Sequence, residues 1–236
     1  MRVLVGTSGY SYKPWKGTFY PEKMKEAEML GFYAGRFPTV EINNTFYRMP
    51  APALLQKWSQ ETPAGFTFVL KAPQRITHQK RLGDVADDVS YFLETSAVLG
   101  GKLGPVLYQL PPYMKKDVAR LRGFLERLPP NPPAAFEFRH ESWFDDEVLT
   151  ALRDHGRALC AADVDEEGDK GGEVRPTAPW GYLRLRRAEY SESDLAGWAE
   201  RIQSQPWERA FVFFKHEDEG KGPELAARLA ALLPPP

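Results

Sequence analysis

The sequence has only one cysteine, Cys160, and four histidines among its 236 residues. One cysteine cannot form an internal disulfide, and we expect no zinc site built from cysteine and histidine alone. No run of ~18 apolar residues is present, which argues against a transmembrane helix. The formal net charge of -1 leaves room for a local cationic patch but not for a broad basic surface. P-loop, dinucleotide-binding and nucleophile-elbow motifs are also absent.

The start of the chain lacks the pattern of an export signal. The apolar stretch Val3, Leu4 and Val5 comes within the first five residues and is too short for the apolar segment of an export signal. We therefore expect a cytoplasmic protein, in which the glycosylation sequon that begins at Asn43 is a coincidence. With 42% hydrophobic and 13% aromatic residues, the composition is typical of a folded protein with a sizeable core.

Eight short apolar runs recur along the chain, and most of them are continuous rather than alternating. Continuous runs are typical of parallel strands that are covered on both faces. The runs are residues 3–6, 39–42, 66–70, 105–110, 134–138, 158–162, 181–185 and 210–214.

Helical patterns separate these runs. Apolar residues at intervals of three and four form a stripe in several segments, and Asp145 and Ser191 are suited to begin helices. The stripes are Met24, Ala27, Leu30, Tyr33, Ala34 and Phe37; Leu54, Leu55 and Trp58; Val118, Leu121, Leu125 and Leu128; Leu195, Trp198 and Ile202; and Leu225, Leu229 and Leu232.

Repeated strand and helix alternation predicts an α/β fold, either an open doubly wound sheet or a closed barrel. Eight strands favour the closed (β/α)8 TIM barrel, and we expect one domain over residues 1–236. The crossover after the sixth strand, residues 163–179, is rich in glycine, proline and charge and shows no helical stripe. It is predicted to be a loop rather than a full helix.

Polar and charged residues follow the apolar runs, where the ligand sites of parallel α/β folds lie. Charges at the ends of five or six different strands are costly to bury unless they are paired or used, and they favour a ligand site over a purely structural network. The predicted site residues of this kind are Glu41, Asn43, Lys71, Gln109, Glu137, Arg139, His140, Asp163 and Arg184.

Aromatic residues follow the same strand ends. Tyr10, Trp15 and Tyr47 are predicted to stack on a substrate, and the alternative is that such rings form a hydrophobic cap on the barrel. His78 belongs to a polar segment, residues 73–82, that is predicted to be a lid. His140, next to Arg139, is the better candidate for a general acid or base, because histidine can change its protonation state near neutral pH.

The three acidic residues Glu41, Glu137 and Asp163 could hold Mg²⁺ or Mn²⁺ through carboxylate oxygens. Ion pairing with lysine and arginine explains them equally well, and no histidine spacing indicates a transition metal. A divalent metal is therefore not the favoured interpretation, and the cofactor is left open. Residues 163–168 resemble the opening of a calcium loop, but position twelve is Val174 rather than glutamate.

Five segments resemble the YecE-like family, a domain of unknown function. They are Gly6 to Tyr12 with Trp15 and Phe19-Tyr20-Pro21, Val40 to Arg48, Lys71-Ala72-Pro73 with Ile76 to His78, Gln109 to Pro112, and Glu137 to Phe144. The resemblance spans nearly the whole chain. It implies a barrel related in shape to the xylose-isomerase and endonuclease IV group, and it implies no established activity.

Two features depart from the family pattern. Members usually carry an asparagine pair after the last strand, where this chain has Lys215 and His216. The crossover after the sixth strand is also short. If the asparagines contact a ligand, this chain is expected to bind something different.

The leading functional hypothesis is an enzyme that acts on a small anionic, phosphorylated or nucleotide-like substrate. Lys71, Arg139 and Arg184 would hold the anion, Glu137 or Glu41 would act as base, and His140 as acid. Neutralising Glu137 or Arg139 is then expected to leave the fold intact and even to raise the melting temperature.

Two alternatives remain open. One is a non-catalytic module that binds single-stranded nucleic acid, and the other is a structural or regulatory barrel without a ligand. In the first, aromatic rings would stack on bases and a group of cations would contact phosphates. Those cations are Arg75, Lys80, Arg81, Arg184, Arg186 and Arg187. The sequence predicts no membrane partner and leaves the oligomeric state open.

Overall fold

The computed structural model describes residues 1–165 and 171–234. Its sheet contains eight strands, all parallel to their neighbours and each overlapping one of the predicted apolar runs. They are β1 (Arg2–Ser8), β2 (Thr39–Ile42), β3 (Thr67–Lys71), β4 (Leu103–Gln109), β5 (Ala134–Glu137), β6 (Ala158–Asp163), β7 (Trp180–Leu185) and β8 (Arg209–Phe214).

The strands form a closed barrel in chain order, because β1 pairs with both β2 and β8. Val3 lies opposite Ala210, and Thr7 lies opposite both Phe214 and Val40. Of the two predicted architectures, this confirms the closed (β/α)8 barrel and excludes the open sheet.

Seven α-helices cover the outside of the barrel in the described parts of the chain. They are α1 (Glu26–Ala34), α2 (Pro52–Gln60), α3 (Ala86–Ser96), α4 (Val118–Leu125), α5 (Asp146–Asp154), α6 (Glu192–Gln203) and α7 (Lys221–Ala231). Between β6 and β7 the described residues, 164–165 and 171–179, contain no helix, as predicted for this crossover. None of the helices in the described chain is long and apolar enough to cross a membrane.

Both predicted helix starts have the expected hydrogen bonds. The Asp145 carboxylate accepts a bond from the Glu147 backbone N–H at 3.0 Å. The Ser191 hydroxyl accepts from the Asp194 N–H at 3.1 Å, and the Asp194 carboxylate accepts in return from the Ser191 N–H at 2.9 Å. Each bond satisfies a backbone donor that has no partner within its helix.

The predicted lid, residues 73–82, packs against the core just beyond the end of β3, and its opening and closing stay a prediction. Residues Arg75–Gln79 form one turn of π-helix. The apolar Ile76 and Leu82 and the polar Thr77 are buried, with 0%, 3% and 0% of their surfaces exposed, so these three side chains anchor the segment. The sequence did not reveal these buried residues, because their spacing matches neither an α-helix nor a strand. The segment instead forms a π-turn, followed by left-handed backbone at Arg81 and Leu82.

A tyrosine hydroxyl joins the first two strands. Tyr33 of α1 is fully buried, and its hydroxyl accepts from the Thr7 backbone N–H at 2.8 Å and donates to the Thr39 carbonyl at 3.0 Å. The strands also approach closely at Gly6, where an added Cβ would lie 2.1 Å from the Thr39 carbonyl oxygen. Only glycine fits there without separating β1 from β2.

Candidate functional site

The alternation of each strand decides which side chains enter the barrel. Ala135, Cys160 and Tyr182 belong to the apolar cluster inside the barrel, whereas Phe136 and Ala161 pack in the core between strands and helices. Continuing the alternation by two residues brings Glu137 and Arg184 to the axis at the carboxyl ends of β5 and β7. The apolar interior is thus covered by a charged layer.

The centre of this layer is Arg184, whose side chain is 2% exposed. One guanidinium nitrogen donates to Glu137 Oε2 at 2.6 Å, and another donates to Glu41 Oε1 at 2.9 Å. The side chains of Glu41 and Glu137 are 0% and 1% exposed. Arg184 of β7 therefore pairs with two buried carboxylates, from β2 and β5, and Arg139 and Arg186 supply further positive charge next to Glu137.

Glu41 is further held by neutral donors. The hydroxyls of Ser8 and Tyr182 each donate to its carboxylate at 2.5 Å, and Asn43 Nδ2 donates at 3.3 Å. Burial alone would raise the pKa of Glu41, but Arg184 and these hydroxyls outweigh it and hold the pKa below its usual value. Glu41 therefore stays ionised.

Glu137 accepts hydrogen bonds at both oxygens. Besides Arg184, its partners are Gln109 Nε2 at 2.7 Å and Arg139 Nε at 3.1 Å, and Arg186 lies 3.9 Å away. Burial opposes ionisation here too, but Arg184 and Arg139 more than compensate and hold the pKa of Glu137 far below its usual value. A carboxylate with such a low pKa is a weak general base near neutral pH.

Lys71 stands at the end of β3 and is part-exposed. Its ammonium donates to Gln109 Oε1 at 2.7 Å and lies 4.1 Å from the centre of the Phe46 ring. Burial and the nearby Arg184 lower the pKa of Lys71 to about 8. Gln109, which is 5% exposed, thus connects Lys71 to Glu137.

His78 is brought to the same place by the π-turn. Its ring meets Phe46 edge to face, with centres 4.8 Å apart, and its Nδ1 lies 2.9 Å from the Thr77 hydroxyl. Burial, followed by Lys71 and Arg139, lowers the pKa of His78. A neutral imidazole therefore lies beside the lysine at neutral pH.

Asp163 is the clearest case of a predicted site residue that points elsewhere. It follows Ala161 on the outward side of β6, and its Oδ2 accepts from Arg187, Tyr190 and the Trp198 indole at 3.0, 2.9 and 3.2 Å. The alternation therefore turns it toward α6 rather than toward the axis. Glu41, Glu137 and Asp163 do not form a common metal site, and no cluster of three His, Cys, Asp or Glu residues suited to a metal occurs within residues 1–165 and 171–234.

Trp15 and Tyr10 lie around the outside of the first strand end. Trp15 is 0% exposed and packs against Tyr12, Phe19 and Tyr20, so it belongs to the core. Tyr10 is part-buried beside Tyr33. With Asn43 and Trp58, it lines a cleft of about 220 Å³ next to the charged layer.

Tyr47 and His140 are accessible, but neither contacts the charged layer in the described residues. Tyr47 is 73% exposed and meets Phe46 edge to face. His140 accepts a hydrogen bond from the Ser142 backbone N–H at 3.2 Å and caps a short helical turn, Glu141–Trp143. Catalysis by His140 stays a prediction.

Sequence reasoning missed Tyr182, whose hydroxyl donates to the buried Glu41. The signal was available, because Tyr182 precedes Arg184 by two residues on the same strand and must share its face. Phe46 was not singled out as a site residue, although its ring contacts both Lys71 and His78. The contact with His78 depends on the π-turn, which the sequence did not predict.

The cations proposed to bind nucleic acid are mostly engaged elsewhere. Arg75 and Lys80 both pair with Asp88, at 2.6 and 2.8 Å. Arg187 pairs with Asp163 and Asp194, both at 3.0 Å. Arg184 is buried beneath the surface, whereas the Arg75 side chain is 61% exposed, and nucleic-acid binding stays an alternative prediction.

A larger groove, of about 850 Å³, lies outside the barrel between β1 and α7. It contains none of the predicted site residues and is lined largely by apolar side chains, including Val3, Phe37, Ala227 and Leu233. The convergence of charged groups, rather than groove volume, identifies the barrel mouth as the candidate site.

Residues 4–235 match the family model described as "Protein of unknown function DUF72". The chain belongs to this family. Among curated relatives, the UPF0759 protein YunF of Bacillus subtilis is 25% identical over 271 residues, covering 98% of this chain and 94% of that protein. The UPF0759 protein YecE of Escherichia coli K12 is 34% identical over 113 residues, covering 48% of this chain and 42% of that protein. These matches confirm the YecE-like resemblance.

Crystal structures of DUF72 proteins show the same fold. One from Thermotoga maritima superposes with a TM-score of 0.87 at 28% identity, covering 98% of this chain and 99% of that one. One from Enterococcus faecalis gives a TM-score of 0.81 at 20% identity, covering 98% and 95% of the two chains. A shared barrel fold does not fix an activity, which depends on the side chains at the barrel mouth.

Proposed function

We propose that this protein is an enzyme that binds a small anionic substrate, phosphorylated or nucleotide-like, at the C-terminal mouth of the barrel. The observation that supports this is an excess of positive charge there. Four cationic side chains, from Arg184, Lys71, Arg139 and Arg186, surround only two carboxylates. An anion would restore the balance.

The cations divide into a buried one and more accessible ones. Arg184 is enclosed and already bonded to Glu41 and Glu137. Arg139 has 35% of its side chain exposed, and Lys71 is part-exposed, so both can reach a ligand. In this proposal Lys71 and Arg139 hold the anion, whereas Arg184 organises the layer beneath it.

Proton transfer is assigned to His78 rather than to the two glutamates or His140. Glu41 and Glu137 have lowered pKa values and stay ionised. The His140 Nδ1 atom is occupied as a helix cap. His78 combines a lowered pKa with a position beside Phe46 and Lys71, so its neutral ring can accept a proton.

Replacing Lys71 or Arg139 with methionine is expected to weaken anion binding by about ten- to a hundredfold, because a charge-assisted hydrogen bond contributes about 1.5–3 kcal/mol. Isothermal titration calorimetry with inorganic phosphate, ribose 5-phosphate and nucleoside monophosphates measures this directly. Lys57→Met is the control, because this exposed lysine on α2 pairs only with Glu61 among the described residues.

Catalysis is tested by incubating the same compounds with the protein and following products by ³¹P NMR and mass spectrometry. We expect turnover of one compound class, lost in Lys71→Met and strongly reduced in His78→Gln. Unchanged phosphate affinity in both Lys71→Met and Arg139→Met would contradict the proposed site. Binding without turnover of any anion that the mouth accepts would contradict the enzymatic role.

A further inference from the structure

Lys71 differs from the other cations of the mouth in the partner that it has. Its ammonium donates to the neutral amide oxygen of Gln109 at 2.7 Å. No carboxylate of the described chain lies within 4.0 Å of it. A lysine near two buried carboxylates would ordinarily be expected to pair with one of them.

The arginines explain why it does not. Glu137 accepts from Arg184 and Arg139 as well as from Gln109, and Glu41 accepts from Arg184, Ser8 and Tyr182. Gln109 is thereby fixed with its NH₂ group toward Glu137 and its oxygen toward Lys71. The lysine is thus held in place without a counter-charge.

We propose that Lys71 is a catalytic residue that forms an imine with an aldehyde or ketone carbon of the anionic substrate. This inference rests on the proposed function and specifies its substrate class as a phosphorylated or carboxylated carbonyl compound. Three structural features support it: the neutral partner, the position on the axis at the end of β3, and the neighbouring imidazole of His78.

The electrostatic environment favours the nucleophilic form of the amine. Burial and Arg184 lower the pKa of Lys71 from 10.5 to about 8. About one molecule in ten then carries the neutral amine at pH 7, against fewer than about one in a thousand for an ordinary lysine. Desolvation next to other cations is a known means of activating a lysine nucleophile.

The step balances without a further reactant. The lone pair of the Lys71 nitrogen forms a bond to the carbonyl carbon while the C=O π bond breaks, and the oxygen takes up a proton. The hydroxyl of the resulting carbinolamine is then protonated, and the C–O bond breaks to release water as the nitrogen lone pair forms the C=N bond. His78 can carry the proton between nitrogen and oxygen, and hydrolysis by the reverse route frees Lys71.

Reductive trapping tests the imine. Wild-type protein is incubated at pH 7 with dihydroxyacetone phosphate and sodium cyanoborohydride, which reduces an imine to a stable secondary amine. Intact-protein mass spectrometry and peptide mapping are expected to show one adduct per chain, on Lys71, with at least tenfold preference over Lys57. Lys71→Arg keeps the charge and is expected to lose this adduct, whereas Lys57→Arg retains it.

Hydroxyacetone, the same carbonyl compound without phosphate, separates this inference from the proposed function. Labelling of Lys71 by both probes, faster with the phosphorylated one, supports both. Equal labelling by the two probes supports the imine but overturns anion recognition. Phosphate binding that depends on Arg139, together with labelling of Lys71 no faster than that of Lys57, overturns the imine and leaves the proposed function standing.

Discussion

Replacing Arg184 with methionine is expected to destabilise the protein by about 3–5 kcal/mol at neutral pH, the usual cost of removing one partner from a buried ion pair. Glu137 would keep Arg139 as a partner at 3.1 Å. Glu41, which is 0% exposed, would keep only neutral donors. An unpaired buried carboxylate is costly because the protein interior solvates charge poorly. Urea unfolding followed by tryptophan fluorescence measures the loss.

The dependence on pH should reverse sign in this variant. In the wild-type protein the pKa values of both glutamates lie below 4.5, the value in the unfolded chain. Their contribution to the free energy of unfolding is therefore fully present above that pH and is lost as the carboxylates are protonated below it. Without Arg184, burial raises the pKa of Glu41 above its unfolded value. The variant should therefore gain stability as the pH is lowered from 7 toward 5.

Two further variants test the interpretation of this result. Arg186→Met removes a cation that lies 3.9 Å from Glu137, and it should cost less than about 1 kcal/mol. Combining Arg184→Met with Glu41→Gln removes the arginine together with the carboxylate that would be left with neutral donors only, and should recover at least half of the lost stability. An Arg184→Met protein with the wild-type urea midpoint would show that the charged layer does not depend on this arginine.

Replacing Tyr33 with phenylalanine is expected to cost about 2–4 kcal/mol, because it leaves two buried backbone groups without their hydrogen-bond partner, at about 1–3 kcal/mol each. These groups are the Thr7 N–H and the Thr39 carbonyl, which the Tyr33 hydroxyl joins at 2.8 and 3.0 Å. The ring would still fill its space in the core. The measurement is the free energy of unfolding in urea.

Tyr91→Phe provides the matched control. Tyr91 is 64% exposed, and losing its hydroxyl should change stability by less than about 0.5 kcal/mol. Hydrogen exchange adds a local readout, since the amide proton of Thr7 should exchange faster in Tyr33→Phe. Equal unfolding free energies for the two variants would contradict the bridging role of the hydroxyl.

The barrel could be predicted because its evidence is local. Each parallel strand is covered on both faces, and this produces a short apolar run that is visible in the sequence. Helix α3 (Ala86–Ser96) was not predicted. It buries Val89, Phe92 and Ser96, and the serine, whose hydroxyl donates to the Phe92 carbonyl at 2.6 Å, interrupts the apolar stripe.

The site could be predicted only in part, because the end of an apolar run shows where a residue lies on its strand but not whether its side chain points into the barrel or outward. Glu41, Glu137 and Arg184 lie together, but Asp163 points outward although it ends a strand in the same way. Counting the alternation along β6 from Cys160 would have placed Asp163 with Ala161 on the outer face. The outward direction of the Asp163 side chain could thus have been predicted from the sequence. The position of His78 could not, because it depends on a π-turn.

The structure also changes the expectation for Glu137. Neutralising it was expected to leave stability unchanged or raised, as for a poised charge at an active site. The carboxylate is instead enclosed and accepts hydrogen bonds from Arg184 and Arg139. Glu137→Gln leaves these arginines short of negative charge, so the melting temperature is expected to fall.

The placement of Cys160 gives the protein a built-in reporter of its own opening. The thiol is 1% exposed inside the barrel, and burial, reinforced by the charge of Glu137, raises its pKa well above the ordinary value. A protonated, enclosed sulfur is a poor nucleophile, so disulfide reagents and alkylating agents should reach it only when the strands separate. Because the chain has no second cysteine, the rate at which the native protein is labelled measures how often the barrel opens enough to expose Cys160.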